Sequence, residues 1–304
     1  MWLCSRIATA TRFFKCGAAA DPRETRRLAP APASLAKALG NALPVSRLSA
    51  TAYNDLRQCP YRFFALRQLG LAEAEELDNG LDKRDFGNWL HRVLFHFHTA
   101  LGVEKLNGAE REQVNLLQLI DRSADVATQE LGLSEAEFLP FSASWPQVRT
   151  GYLAWLAQPK NQFFVEGETW HEIQLGSVKL VGKLDRIDRP PGEPLYLLDY
   201  KTEPLDTTRK RIKAGTEDTQ LSFYAALFDE QNVQGAYVSV GEREGTQTIN
   251  QPDLVHLREQ LAEGILEDMQ RVADGHPMVA MGQGSACDYC AARGLCRKDM
   301  VSEG

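Results

Sequence analysis

The apolar positions of this chain change their period near its middle. Ser49 or Thr51 can cap a helix that begins around Ala52, and Pro60 should break or restart it just after Cys59. Trp89, Val93 and Phe97 recur at helical spacing and predict a helix from about Arg84 to Leu101. Further helical stretches fall near 109–131 and 144–158. Residues 168–175, 178–188 and 194–200 then alternate or run apolar, as strands do, with a tight turn at Gly176-Ser177 and a longer one at Pro190-Pro191-Gly192. A helix from about Glu217 to Asp229, a strand at 234–240 and a polar helix at roughly 252–274 complete the pattern. Helix, three strands, helix, strand is the skeleton of an α/β domain with a mixed sheet, and no internal repeat interrupts it.

Composition bounds this picture. The 304 residues are 43% hydrophobic and 25% charged, which is the balance of a folded domain with ample core. Residues 1–45 stand apart: a basic start without acids, then an Ala-, Pro- and Arg-rich stretch that reads as a disordered leader and linker. Ordered structure is expected from near Ser46, giving a single domain over 46–300. No apolar run has the length of a membrane span. The net charge is −7, so any binding of nucleic acid must rely on local basic patches. Four of the six cysteines have metal-ligand spacing, which fits a reducing, cytoplasmic setting better than a disulfide framework; Cys4 and Cys16 have no visible partner.

The expected hairpin carries the most chemistry. Asp199 and Lys201 are two apart in Leu198-Asp199-Tyr200-Lys201, so both side chains leave one side of a strand. Asp185, in Gly182-Lys183-Leu184-Asp185-Arg186-Ile187-Asp188, can sit opposite on the neighbouring strand. Two close carboxylates beside a lysine make a hard-oxygen site for magnesium or manganese, whereas the same residues at a solvated strand end would be plain surface charges. Asp199 ends a strongly apolar run and so belongs at the rim of a buried strand. Asp185 and Asp188 could instead pair with Lys183, Arg186 or Arg189 as surface ions. His91 adds a nitrogen ligand if its helix packs beside the hairpin; His96 and His98 are rivals.

Beyond Lys201, Arg209, Lys210, Arg211 and Lys213 form the strongest basic run, placed in a loop where they could contact phosphates. Arg57, Arg62 and Arg67 are a second basic set. Gln220 and Tyr224 share a helix face at i, i+4. At the ends of the domain stand Cys59 and, more than two hundred residues later, Cys287-x2-Cys290-x5-Cys296. Four thiolates hold either zinc or an iron–sulfur cluster, and this spacing does not choose between them.

Taken in order, these elements resemble the RecB-type nuclease domain of the PD-(D/E)xK superfamily, and its iron–sulfur branch in particular, to which the C-terminal domain of AddB belongs. The resemblance covers about 48–297 and runs through Leu48-Ser49-Ala50-Thr51, Cys59-Pro60-Tyr61, Gly87-x3-His91, Gly182-x2-Asp185, Asp199-Tyr200-Lys201, Gln220-x3-Tyr224 and the cysteine tail. It implies a restriction-endonuclease-like core with added helices. It implies a catalytic Mg2+ or Mn2+ held by His91, Asp185, Asp199 and the Tyr200 carbonyl, with Lys201 orienting water or steadying charge. Gln220 and Tyr224 would contact DNA, and Cys59, Cys287, Cys290 and Cys296 would hold a four-iron four-sulfur (4Fe-4S) cluster as a structural staple. The implied function is that of a DNA exonuclease in double-strand-break repair, working on a single strand delivered by a helicase subunit. The chain has no Gly-x4-Gly-Lys-Ser/Thr pattern for ATP hydrolysis of its own. The alternatives are a stand-alone CRISPR-adaptation-type nuclease and a non-catalytic iron–sulfur DNA-binding module.

Overall fold

The expected hairpin forms, but it bends at its chemically important residue. In the computed structural model, which describes residues 37–72, 83–106, 115–213, 218–241 and 245–300, two long strands are each broken into a pair of shorter ones. The strands are β1 Lys37–Leu39, β2 Arg47–Leu48, β3 Phe164–Glu166, β4 Thr169–Leu175, β5 Val178–Leu184, β6 Arg186–Asp188, β7 Leu195–Lys201, β8 Val233–Gly241, β9 Gly245–Asn250 and β10 Pro277–Val279. β4 pairs antiparallel with β5, whose other edge takes β2 in parallel; β3 pairs with β6. The main sheet runs β3-β6-β7-β8-β9, with β7 and β8 parallel and the other pairs antiparallel. Asp185 therefore sits between β5 and β6, at the point where the strand leaves the main sheet for the smaller one.

Helices cover both faces. They are α1 Ala50–Gln58, α2 Pro60–Phe63, α3 Lys83–Leu106, α4 Leu116–Glu130, α5 Glu135–Leu156, α6 Leu205–Arg211, α7 Gln220–Ala225, α8 Leu254–Ala273, α9 Ser285–Asp288 and α10 Arg293–Cys296. Strict alternation along β7 divides the core. Leu195 and Leu197 join Tyr53, Leu56, Phe223, Leu261 and Ile265 on one side, while Leu198 and Tyr200 join Trp89, Phe97, Ile120 and Val148 on the other. The result is the mixed-sheet α/β architecture of a restriction-endonuclease-like core.

Several local expectations hold. Ser49 Oγ accepts the Ala52 amide and caps α1, and Pro60 opens α2 immediately after Cys59. Others need correction. Strand pairing starts before Ser46: Lys37–Leu39 lies antiparallel to β10, so the part of 1–45 that is described belongs to the fold. Positions 1–36, with Cys4 and Cys16, lie outside the described residues. The basic run is not a loop: from Leu205 it folds as α6, and Lys213 lies just past its end. The expected helix near 217–229 shortens to α7, and β9 follows β8 where no strand was expected.

The largest departure concerns Arg186 and Asp188, which are not surface ions. Both are fully buried, and the guanidinium grips the carboxylate with two bonds of 2.6 and 2.7 Å. It also donates to the Asn161 carbonyl at 2.6 Å and to the Tyr152 hydroxyl at 3.3 Å, and lies 3.1 Å from His98 Nε2. Tyr152 Oη is 2.8 Å from Tyr200 Oη, so α3, α5, β6 and β7 meet in one polar knot behind the hairpin. Arg186→Ala takes the guanidinium away from a carboxylate that stays charged and buried. Urea unfolding should show a loss of about 3–5 kcal/mol, with no matching loss for a distant surface arginine such as Arg189.

Candidate active site

Four elements bring their polar side chains to the bend at Asp185. α3 supplies His91, the β5–β6 junction Asp185, β7 Asp199 and Lys201, and α7 Gln220 and Tyr224. His91 Nδ1 lies 3.1 Å from Asp185 Oδ1, and its Nε2 lies 3.1 Å from the Tyr200 carbonyl oxygen. The other Asp185 oxygen accepts the Tyr200 amide at 2.9 Å, which fixes the carboxylate across the strand gap. His96 and His98 are excluded as rivals by their partners: His96 meets Glu130 at the surface, and His98 belongs to the buried knot.

Asp199 is 2% exposed and lies 2.6 Å from Lys201 Nζ. Gln220 bridges the pair, its amide nitrogen donating to Asp199 Oδ1 at 2.7 Å and its carbonyl oxygen accepting from Lys201 at 2.9 Å. The same amide reaches the Tyr224 hydroxyl at 3.0 Å. The i, i+4 pair on α7 thus orients the carboxylate–lysine unit. Gly182 makes room for it, since a Cβ there would lie 2.7 Å from Leu227 Cδ1 and 3.4 Å from the Tyr224 ring.

Burial raises the Asp199 pKa, Lys201 opposes it, and the Asp185 charge raises it further, to about 6. Burial alone would lower the His91 pKa; Asp185, then Asp199 and Glu168, outweigh it and raise it to about 9. The histidine is thus a cation held among carboxylates.

One residue of the cluster had no sequence signal. Glu168 contributes a carboxylate oxygen 3.9 Å from His91 Nδ1, and its other oxygen is bonded by Lys183. Among the described residues, His91, Glu168 and Asp185 are the group of possible ligands whose atoms all lie within 4.8 Å. Asp199, expected in the ligand set, is drawn to Lys201 and stands outside that trio. Glu168 is non-glycine with φ of 51°, in the break between β3 and β4. No periodicity reveals such a position. A ring nitrogen with two carboxylates is a donor set that fits a divalent cation, and it is the Nδ1 edge of His91 that faces Asp185 and Glu168, while Nε2 faces the Tyr200 carbonyl.

The other predicted residues divide. Arg211 is not free for phosphate, because Glu203 grips it at 2.5 and 2.8 Å and Asp218 at 2.7 Å. Arg209, Lys210 and Lys213 are exposed. Arg62 and Arg67 both converge on buried Asp55, at 2.8 and 2.6 Å, and Arg62 also donates to the Ala286 carbonyl, tying the start of the domain to the cysteine tail.

The four cysteines line one cavity, with Ala280, Gly282 and Ala286 among its walls. All four are free thiols, and no three of their sulfurs fall within 4.8 Å of one another. A Cβ on Gly282 would lie 3.2 Å from Cys59 Cβ and 3.3 Å from Cys287 Sγ, filling the space they share. Arg62, Arg293 and Lys298 also line it, together with Asp299, which pairs with Arg293 at 2.7 Å. Among the described residues, no helix is long and apolar enough to cross a membrane.

Residues 47–297 match the PD-(D/E)XK nuclease superfamily. The chain is 28% identical over 181 residues to the uncharacterized protein RT0391 of Rickettsia typhi, and 26% identical over 181 residues to an uncharacterized protein of Rickettsia felis. Each match covers 56% of this chain and 20% of the relative, so the chain spans about a fifth of the length of these curated relatives. Similar solved structures include a candidate exonuclease from Eubacterium rectale (13% identity, 82% of this chain and 88% of that one, TM-score 0.42). Another is SSO0001 (17% identity, 83% and 85%, TM-score 0.32).

Proposed function

The chain belongs to the PD-(D/E)XK nuclease superfamily, and from that premise we propose that it is a metal-dependent deoxyribonuclease that hydrolyses phosphodiester bonds from a DNA end. The observation that carries this reading is the convergence of His91, Asp185 and the Asp199–Lys201–Gln220 unit at the bend between β5 and β6. A nuclease of this superfamily usually uses Mg2+ or Mn2+. His91, Asp185 and the Tyr200 carbonyl would hold the ion, with Asp199 or Glu168 completing the set. The ion supplies a lowered water pKa and a positive charge opposite the phosphate. Lys201 presents an ammonium at the same edge, where it can orient the attacking water and offset charge on the phosphate as its phosphorus becomes five-coordinate. Gln220 keeps that ammonium and the Asp199 carboxylate in register.

His91 must shed its proton to bind a cation through the nitrogen that carries it. Its folded pKa is about 9, so protons compete with metal below that value and the competition fades as pH rises. Manganese affinity should therefore increase between pH 6 and 9, with proton uptake by buffer visible in titration calorimetry. An affinity independent of pH across that range would remove His91 from the ligand set.

The substrate proposed is a single strand. Arg209, Lys210 and Lys213 offer exposed charge near α6, while Arg211 braces Glu203 and Asp218 and serves the fold. The four cysteines are proposed to hold a 4Fe-4S cluster, a reading supported by the cavity they share. Such a staple joins Cys59, at the start of the domain, to its last turns. A helicase partner and a role in double-strand-break repair follow from the AddB-like order of the motifs, and the much longer relatives agree with a domain that works inside a larger machine. Exonuclease action is tested with end-labelled linear and closed circular single strands: the linear substrate should be degraded and the circle spared. Equal cutting of both would make the enzyme an endonuclease.

A further inference from the structure

On the solvent face of β4 the residues are Trp170, Glu172 and Gln174, all exposed. Two are polar, as a wet strand face requires; the third is a tryptophan with 66% of its surface in water. It is also the one nearest the candidate site. Trp170 lies two positions from Glu168 and is the direct antiparallel partner of Lys183. Residues so paired point to the same face with Cα atoms about 4.5–5.5 Å apart. Lys183 in turn bonds Glu168, and Glu168 stands with His91 and Asp185 in the group of possible ligands. One open face thus carries an indole, an ammonium and then the carboxylates in sequence.

We propose that Trp170 is a base-stacking platform for the nucleotide next to the scissile phosphate. The proposal rests on the nuclease reading of the site and adds a subsite to it. A phosphate held at the carboxylate end leaves its neighbouring base within reach of a flat aromatic surface that is two-thirds exposed among the described residues. Stacking is available to every base, so the subsite grips a strand without reading its sequence. It also discriminates against duplex, in which base faces are already stacked.

Of the five tryptophans, Trp89, Trp145 and Trp155 are buried and Trp2 lies outside the described residues, so the quenching that belongs to Trp170 is the part lost when it is replaced. In an Asp199→Ala background, which keeps the strand uncut, a short oligothymidylate should quench emission. Adding Trp170→Ala should remove most of the quenching and weaken binding about 5- to 150-fold. Trp170→Phe should retain most of the affinity. An oligonucleotide of abasic sites should bind with and without Trp170→Ala alike. Unchanged oligothymidylate affinity in Trp170→Ala overturns the stacking role; if the otherwise native chain still cleaves DNA, the nuclease reading stands and the indole belongs to a protein contact. A native chain that neither binds nor cuts any strand overturns both.

Discussion

Asp185→Ala and Asp199→Ala are each expected to abolish metal-dependent cleavage while leaving the fold and the cysteine site intact. The two carboxylates occupy different parts of the site. Asp185 is locked by the Tyr200 amide and faces His91, so its loss removes a proposed ligand and leaves the histidine only the Tyr200 carbonyl and the more distant Glu168. Asp199 is buried against Lys201 and Gln220, so its loss leaves the ammonium without its anchor. Lys201→Ala should retain metal binding yet slow turnover by roughly a hundredfold or more, as expected for removal of a group that stabilises developing charge. Circular dichroism and metal binding, measured beside the cleavage rate, separate these effects from unfolding. Full activity in Asp199→Ala would move the chemistry elsewhere.

Cys59→Ala should be the most damaging change outside that site. Cys59 lies between α1 and α2, and the other three cysteines follow β10; the cavity they share is also bridged by Arg62 to the Ala286 carbonyl. Binding energy of a thiolate-held group is folding energy, because the unfolded chain has no such site. Protein purified without oxygen should be brown and contain about four irons per chain. Cys59→Ala should lose the iron and melt at lower temperature. One zinc and no iron in the native protein would establish a zinc staple instead, and an unchanged melting temperature in Cys59→Ala would contradict the staple altogether.

The parts of this architecture that were legible in the sequence are those fixed by period and by short-range geometry. Alternation in Leu197-Leu198-Asp199-Tyr200-Lys201 was enough to place Asp199 and Lys201 on one side of a strand and Tyr200 on the other, and both cores follow that division. The Ser49 cap and the Pro60 restart are local signals, and they hold. Features that depend on long-range packing were hidden. Arg186 and Asp188 look like a solvated pair in one dimension; Tyr152, Asn161 and His98, from distant segments, make them a buried one. Glu168 owes its place to its own left-handed backbone at the break between β3 and β4. Arg211 looked like part of a phosphate-binding run because Glu203 and Asp218, which neutralise it, flank the run rather than interrupt it. The bend at Asp185 was invisible within a continuous strand pattern, yet it marks where one strand belongs first to the smaller sheet and then to the main one, with Asp185 set beside His91.

The central claim is that this site hydrolyses DNA with a divalent metal. It is tested most directly by a time course with purified protein and end-labelled single-stranded DNA, run in Mg2+, in Mn2+ and in a chelator. Progressive release of nucleotides with either metal, and none in the chelator, is the result predicted here. Strand cleavage at the same rate in the chelator, or an intact strand under all three conditions, would contradict it.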